Sequence, residues 1–236
     1  MTTTWVRQSV LILVLLVAAT ACIAAFGWDL TLARHFYRPG EGFYLGNEQP
    51  WQFLYRYGER PAYLIGITAL LVYLASFVTR RVVRYRLAAL FLALSLVIGP
   101  GLVVNSLLKG EWGRPRPRHL VELGGTMQFH QPWQPGPVPR NASFPAGHPA
   151  AAFYFSAPYF LLRKSRPRQA RWWLYGGALF GILMGMARIV QGGHFLSDVV
   201  WSAGLVYLTM LILAALMKLD ERLDDGKTPL KNDVVG

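Results

Sequence analysis

Six long stretches of this chain contain no charged residue: Val10–Trp28, Pro61–Thr79, Leu87–Leu108, Pro149–Leu162, Trp172–Ala187 and Val199–Met217. A bilayer core of ~30 Å takes about 20 helical residues to cross, and few soluble folds tolerate six such runs. The composition agrees, with 53% hydrophobic residues, 15% charged and a mean hydropathy of +0.31. The pattern predicts an all-α polytopic membrane protein with six transmembrane helices, at about 10–28, 61–79, 87–108, 149–162, 172–190 and 198–217. These spans form a single membrane-embedded domain, 1–236. The first run continues through "IAAFGW" and is preceded by one basic residue, Arg7, so it reads as an uncleaved span rather than a signal peptide. Cys22 is the only cysteine, which excludes intramolecular disulfides and four-cysteine zinc sites.

The placement of charge orients the bundle. Arg80, Arg81, Arg84 and Arg86 fill the short link between the second and third spans. Arg163, Lys164, Arg166, Arg168 and Arg171 fill the link between the fourth and fifth. Short basic loops stay cytoplasmic, and with six spans both termini join them. The net charge of +12 is therefore read as topology and headgroup contact, with no nucleic acid as partner. Segments of about 29–60 and 109–148, and a short stretch near 189–198, fall on the extracytoplasmic side. The first is aromatic, from Phe36 and Tyr37 through Tyr55 and Tyr57, and suits either an interfacial segment or a packed loop. The second is Pro/Gly-rich without periodicity, and loops of that length are usually functional or mobile.

On that outer face the unusual residues gather. Lys109, Arg114, Arg116 and Arg118 follow the third span; Ser143, Gly147 and His148 precede the fourth; Arg188, His194 and Asp198 lie between the fifth and sixth. Outer arginines run against the positive-inside pattern and ask for a compensating anion. The apolar parts of the fourth and fifth spans would cover only about 21 and 24 Å at ~1.5 Å per residue. Each helix must borrow its neighbours to cross, which draws His148 and Arg188 to the membrane boundary. A charge at that depth needs a protein interior or a polar cavity.

Guanidinium forks and an ammonium suit a phosphoryl group. "PAGH" opens a helix, so free backbone N–H groups and a positive dipole end face the same anion, with Gly147 permitting close approach and Pro149 in the first turn. His194 and Asp198 are four apart, which on a helix shares one face; the carboxylate would fix the imidazole tautomer and leave the other nitrogen free to attack. Gly192 and Gly193 should break the chain just before it. His148 faces a helix N-terminus, which keeps it neutral until a phosphate dianion arrives and makes it a general acid. A His/His/Asp metal site competes for the same residues, but Asp198 and Glu111 are the only carboxylates near the motifs and oxygen-rich sites need more. Gly177, Gly181 and Gly185 read as close helix packing. His119 and His130 read as loop residues, and Arg114 and Arg118 as headgroup contacts or solvated loop.

These residues resemble the type 2 phosphatidic acid phosphatase (PAP2) superfamily, whose motifs are K-x6-R-P, P-S-G-H and S-R-x5-H-x3-D. Lys109 through Arg116-Pro117, Pro145-Ala146-Gly147-His148, and Arg188 through His194 to Asp198 match them in order, and the resemblance covers nearly the whole chain. It implies a helical bundle of the PAP2 type in the bacterial inner membrane, with an extracytoplasmic active site. It implies a phosphohistidine on His194, oriented by Asp198, with His148 protonating the leaving group and then activating water. Lys109, Arg116, Arg188, Ser143 and Gly147 would hold the phosphate, with no metal and no cofactor. The substrate would be an anionic phospholipid, polyprenyl phosphate or lipid A phosphate. Ala146 and Ala187 depart from the family serines, each removing one hydroxyl contact. Transfer of the phosphoryl group to a second lipid is the alternative activity, and a non-enzymatic anion carrier is a remote one. Oligomeric state is not readable.

Overall fold

The structure, a computed structural model, describes residues 3–138 and 142–225, so the C-terminal tail whose side of the membrane was predicted lies mostly outside the described residues. Among those residues the secondary structure is helical, with two isolated bridges, Arg38 to Gly42 and Leu120 to Met127, in place of any sheet. Among the described residues four helices are long and apolar enough to cross a bilayer: Thr4–Ala25, Arg80–Glu111, Pro167–Val190 and Leu196–Leu216. They coincide with the first, third, fifth and sixth predicted spans.

The first, α1 (Thr3–Ala25), has no glycine or proline and is apolar on nearly every side. Leu11, Val14, Leu15 and Val17 point outward, whereas Leu16 is buried. A helix that is hydrophobic all round belongs in lipid or in a deep core. Two shorter helices follow, α2 (Trp28–His35) and α3 (Trp51–Tyr57). The second predicted span is α4 (Arg60–Ala75), a helix of 16 residues.

The third span is continuous but not uniform. It runs from α5 (Arg86–Leu96) through a π-helical stretch, Val97–Leu108, into one last turn, α6 (Lys109–Glu111). Pro100 lies inside the stretch. Proline lacks an N–H and crowds the carbonyl four residues back, so the ladder shifts to wider spacing. Asn105 Nδ2 donates to the Pro100 carbonyl at 2.8 Å and Ser106 Oγ to the Gly101 carbonyl at 3.0 Å, each across five residues. Widened turns of this kind concentrate at functional sites, and this one delivers Asn105 and Lys109 to the same end of the bundle.

The fourth predicted span is interrupted. It divides into α7 (Gly147–Phe153), a 3₁₀ turn at Tyr154–Ser156, and α8 (Pro158–Leu162). Pro158 at the head of α8 cannot donate back into the preceding turn, which explains the break. The fifth and sixth spans are α9 (Pro167–Val190) and α10 (Leu196–Leu216), and α11 (Leu219–Asp225) closes the described chain.

The core lies where these helices meet, around Phe91, Tyr154, Phe160, Val206, Met210 and Leu211, all buried. Small residues let the backbones approach, as expected for membrane helices. A β-carbon on Gly177, Gly181 or Gly185 would fall within 2.5 Å of Ser156, Phe153 or Val199 respectively. The glycine row of α9 is thus a packing face, as its spacing predicts. At the end of the bundle opposite the histidines, Arg163 pairs with Asp220 at 2.7 Å and lies 4.1 Å over the Trp5 ring, tying α8, α11 and α1 together.

The aromatic segment is packed in part, as one of its two readings expects. Tyr37 and Phe43 pack against a small second core of Ala33, Leu120, Leu123 and Phe195, while Phe53 and Tyr57 stay exposed. The long loop is pinned as well. Trp112 Nε1 donates to the Pro132 carbonyl and Arg114 Nε to the His130 carbonyl, each at 2.8 Å.

Candidate active site

The turn between α9 and α10 builds the centre of the site. Gly192 takes φ +60°, a left-handed value that glycine adopts without penalty. Its N–H bonds the Ile189 carbonyl and that of Gly193 bonds the Arg188 carbonyl, both at 2.9 Å, which is the Schellman closure of a helix. The chain then reverses, and α10 starts at Leu196. His194 therefore precedes the helix, and the predicted shared helical face is not what pairs it with Asp198. The reversed turn does so: His194 Nδ1 lies 3.6 Å from Asp198 Oδ2, just beyond hydrogen-bond length.

Asp198 is held from several sides. Its Oδ2 accepts from the Phe195 N–H at 2.8 Å and from Ser143 Oγ at 2.5 Å, and its Oδ1 accepts from Arg114 Nη1 at 2.5 Å. Ser143, expected as a phosphate contact, gives its proton to this carboxylate. Arg114 was expected in the headgroup region or in solvated loop; instead it has no exposed surface at all. Its guanidinium also donates to Ser197 Oγ at 2.8 Å and to Asp29 Oδ2 at 2.8 Å, and lies 4.4 Å over the Phe195 ring. Asp29, in the first turn of α2, in turn accepts from the Ser197 N–H at 2.8 Å. Burying a fixed cation required placing a carboxylate on either side of it, since a lone buried charge is prohibitively costly.

His194 has no exposed surface, and neither ring nitrogen finds a hydrogen-bond partner among the described residues. Burial pushes its pKa down to about 3, against the pull of Asp198 and with the help of Arg188 and Lys109. Buried polar atoms without partners are rare and demand a reason. Arg188 Nε is another, in a side chain only 4% exposed. The rest of that guanidinium bonds Gln191 Oε1 and lies 4.4 Å over the Tyr55 ring. Gly193 is required beside it, because a β-carbon there would come within 2.5 Å of Arg188 Nη2.

His148, in the first turn of α7, stacks on the same Tyr55 with ring centroids 5.0 Å apart. Its Nδ1 lies 3.4 Å from Glu59 Oε1. Burial lowers its pKa to about 3, and Arg188, Lys109 and Arg116 lower it further toward that value. Burial raises the Glu59 carboxyl while Lys109 and Arg188 draw it back down. The two histidines thus share the field of Arg188 and Lys109, although their motifs are far apart in the chain. Arg116 is buried as well, at 5% exposure. Gly147 packs on the widened third span, where a β-carbon would meet Asn105 Oδ1 at 2.4 Å. Ala146 is fully buried, and its N–H donates to Ser202 Oγ at 2.8 Å, which itself donates to the Asp198 carbonyl at 2.8 Å. The same N–H also reaches the Asp198 carbonyl directly at 3.3 Å, so the backbone of residue 146 connects to Asp198 without a hydroxyl of its own.

The family model of the PAP2 superfamily matches residues 88–222, which include all three motifs and both histidines. The chain belongs to the PAP2 superfamily. It is similar to the lipid A 4'-phosphatase of Francisella tularensis subsp. novicida (strain U112), with 32% identity over 192 residues, 80% of this chain and 86% of that protein. It is also similar to the lipid A 4'-phosphatase of Rhizobium leguminosarum, with 37% identity over 131 residues, 54% of this chain and 52% of that protein. The namesake of Rhizobium etli gives 37% over 131 residues, 54% of this chain and 48% of that one, so the match to the Rhizobium proteins spans about half their length. No solved structure matches the chain. As a PAP2 member with apolar spanning helices, it is a membrane phosphatase acting on a lipid phosphate.

Several site residues escape the motif reading: Asp29, Glu59, Tyr55, Asn105 and the structural part of Arg114. Two left a signal. Asp29 is a lone acid directly after a long apolar run, and Glu59 is the acid nearest the start of the second one. An ionisable residue at a membrane boundary asks for a partner, and here the partners are Arg114 and His148.

Proposed function

We propose that this PAP2 phosphatase hydrolyses a lipid phosphate at the extracytoplasmic face of the bacterial inner membrane through a phosphohistidine on His194. The observation that carries the reading is the His194 ring itself, buried without a hydrogen-bond partner among the described residues, beside Asp198 and within the field of Arg188 and Lys109. With Nδ1 turned toward Asp198, Nε2 is the nitrogen that meets phosphorus. Lys109, Arg116 and Arg188, with the Gly147 N–H, hold the three equatorial oxygens as their charge spreads in the transition state. Ser143 acts one step back, by fixing Asp198.

In the first half-reaction Nε2 attacks phosphorus, the bond from phosphorus to the alcohol oxygen breaks, and His148 gives that oxygen its proton. In the second, neutral His148 takes a proton from water, the resulting hydroxide attacks phosphorus, and the P–N bond breaks to restore His194. His148 is neutral in the empty site, and the dianionic substrate together with Glu59 supports its charged form when needed. In this reading the chain crosses six times, with α4 and the broken α7–α8 rod as the two shorter members, and the positive-inside pattern supports a cytoplasmic position for both basic loops. Similarity to lipid A 4'-phosphatases over most of the chain makes the 4'-phosphate of lipid A the first substrate to test.

The test is release of inorganic phosphate from lipid A by detergent-solubilised protein with EDTA present, alongside His194→Gln. Wild type should turn over, and brief incubation with radiolabelled lipid followed by alkaline denaturation should leave label on the protein. His194→Gln should do neither; undiminished turnover by that variant sinks the nucleophile assignment.

A further inference from the structure

A cavity of about 480 Å³ opens beside Arg188, outside the histidine cluster. That volume falls in the range of small-molecule sites, about 300–1,000 Å³, and exceeds what a single phosphoryl group fills. Its walls come from three places: the aromatic segment, the loop after the third span, and Gln191 in the turn before His194. They are fastened together. Gln191 Nε2 donates to the Gly46 carbonyl at 3.1 Å while its Oε1 takes Arg188, and the Arg118 N–H donates to the Gly192 carbonyl at 3.1 Å. The cavity is therefore a built continuation of the phosphate site and shares Arg188 and Tyr55 with it.

The lining has a specific chemistry. Asn47 and Gln52 present amides, Tyr37 presents a phenol and an aromatic face, and Arg56 and Arg118 present guanidiniums, while Gln191 and Tyr55 hold Arg188 at the inner wall. Amides and phenols read hydroxyl groups, because each can donate and accept. Aromatic faces suit the C–H faces of a sugar ring. Three guanidiniums, counting Arg188, stand against one carboxylate, Glu41, which already faces Arg38. Arg56 and Arg118 form no ion pair among the described residues. A substrate presenting only its scissile phosphate and acyl chains would leave these groups unused.

We infer that this cavity is a headgroup subsite for a glycan bearing a second anionic group, so that the enzyme selects phosphorylated glycolipids over lipids whose headgroup is the phosphate alone. The inference rests on the proposed phosphatase reading. Arg188 would hold the phosphoryl group being cleaved, Tyr37 with the amides of Asn47 and Gln52 the sugar, and Arg56 with Arg118 the second anion.

The experiment compares kcat/KM for two lipids in the same mixed micelles: a bis-phosphorylated acylated disaccharide, and phosphatidic acid. Wild type should prefer the glycolipid. In Arg56→Gln/Arg118→Gln that preference should fall about tenfold, through KM, which corresponds to about 1.4 kcal/mol. Gln52→Ala with Asn47→Ala is the second variant, removing hydroxyl contacts without touching charge, and should lower the preference in the same direction. Equal losses on both lipids, a loss confined to kcat, or an unaltered preference in both variants overturns the subsite. Wild type that releases phosphate from neither lipid overturns the phosphatase reading itself, and the two failures are thereby told apart.

Discussion

Arg114 offers the sharpest test of how the site is held. Its side chain is fully buried, and two carboxylates that are themselves 3% and 0% exposed, Asp29 and Asp198, lean on it. Replacing Arg114 by methionine keeps most of the volume and strands both acids. Removing one partner of a buried ion pair costs about 3–5 kcal/mol, and here one deletion uncovers two anions, which puts the loss at the upper end. At about 2–4 °C per kcal/mol for a chain of this size, Arg114→Met should melt roughly 10–20 °C below wild type. Arg114→Lys should recover little, because an ammonium cannot reach the His130 carbonyl, Ser197, Asp198 and Asp29 from one point as the guanidinium does. Adding Asp29→Asn to Arg114→Met should restore part of the loss, a coupling of about 1–3 kcal/mol in a double-mutant cycle. The assay is thermal unfolding in detergent followed by tryptophan fluorescence. A melting temperature for Arg114→Met within about 2 °C of wild type would refute the claim that this cation holds the two acids together.

The remaining expectations are smaller in scope. Ser143→Ala removes one donor from Asp198 and should lower kcat by about tenfold, on the scale of a charge-assisted hydrogen bond of about 1.5–3 kcal/mol, with little change in KM in steady-state assays. Gly147→Ala drives a β-carbon toward Asn105 Oδ1 and should lower both stability and activity; Asn105→Ala in the same chain should relieve the stability loss, as read by melting temperature. The folded pKa values of His148 and His194 lie near 3, below the unfolded value of about 6.5, so the unfolded chain binds more protons between those limits. Stability of the empty enzyme should therefore fall as pH drops from about 6.5 toward 3, and a melting temperature independent of pH across that window contradicts it. A bound dianion raises the His148 pKa, so vanadate should bind more tightly as pH falls from about 8 to 6, and Glu59→Gln should flatten that dependence in calorimetric titrations.

What could be read in advance follows a physical division. The four long spans were legible because an uninterrupted apolar run has few other fates. The fourth was legible as apolar but not as broken, since Pro158 acts through a local ladder that hydropathy does not sense. His148 and Arg188 stood out because charge at a membrane boundary is expensive, and Lys109, Arg116 and His194 because their spacing matches the family motifs. Arg114 was misjudged, because three arginines in "GRPRPR" are equivalent in sequence and differ only in what the fold puts beside them. Its neighbours Asp29 and Asp198 come from 85 and 84 positions away, and no periodicity connects them. Glu59 was missed for the same reason: spacing along one helix finds only partners on that helix, and His148 found its carboxylate on another.

The buried charge network also bears on what Asp198 does. A carboxylate that faced His194 alone could take its proton and stop there. This one accepts from Arg114, Ser143 and the Phe195 N–H, so its negative charge is already engaged before the imidazole approaches. In the proposed mechanism Asp198 is thus suited to orient the His194 ring and to balance the positive charge that would develop as Nε2 bonds phosphorus, without becoming the base. Arg114 and Asp29 take no part in the proposed steps, yet their buried ion pairs hold that charge in place behind His194. The same proposal leaves the moving proton to His148, the partly buried ring that faces one carboxylate, Glu59.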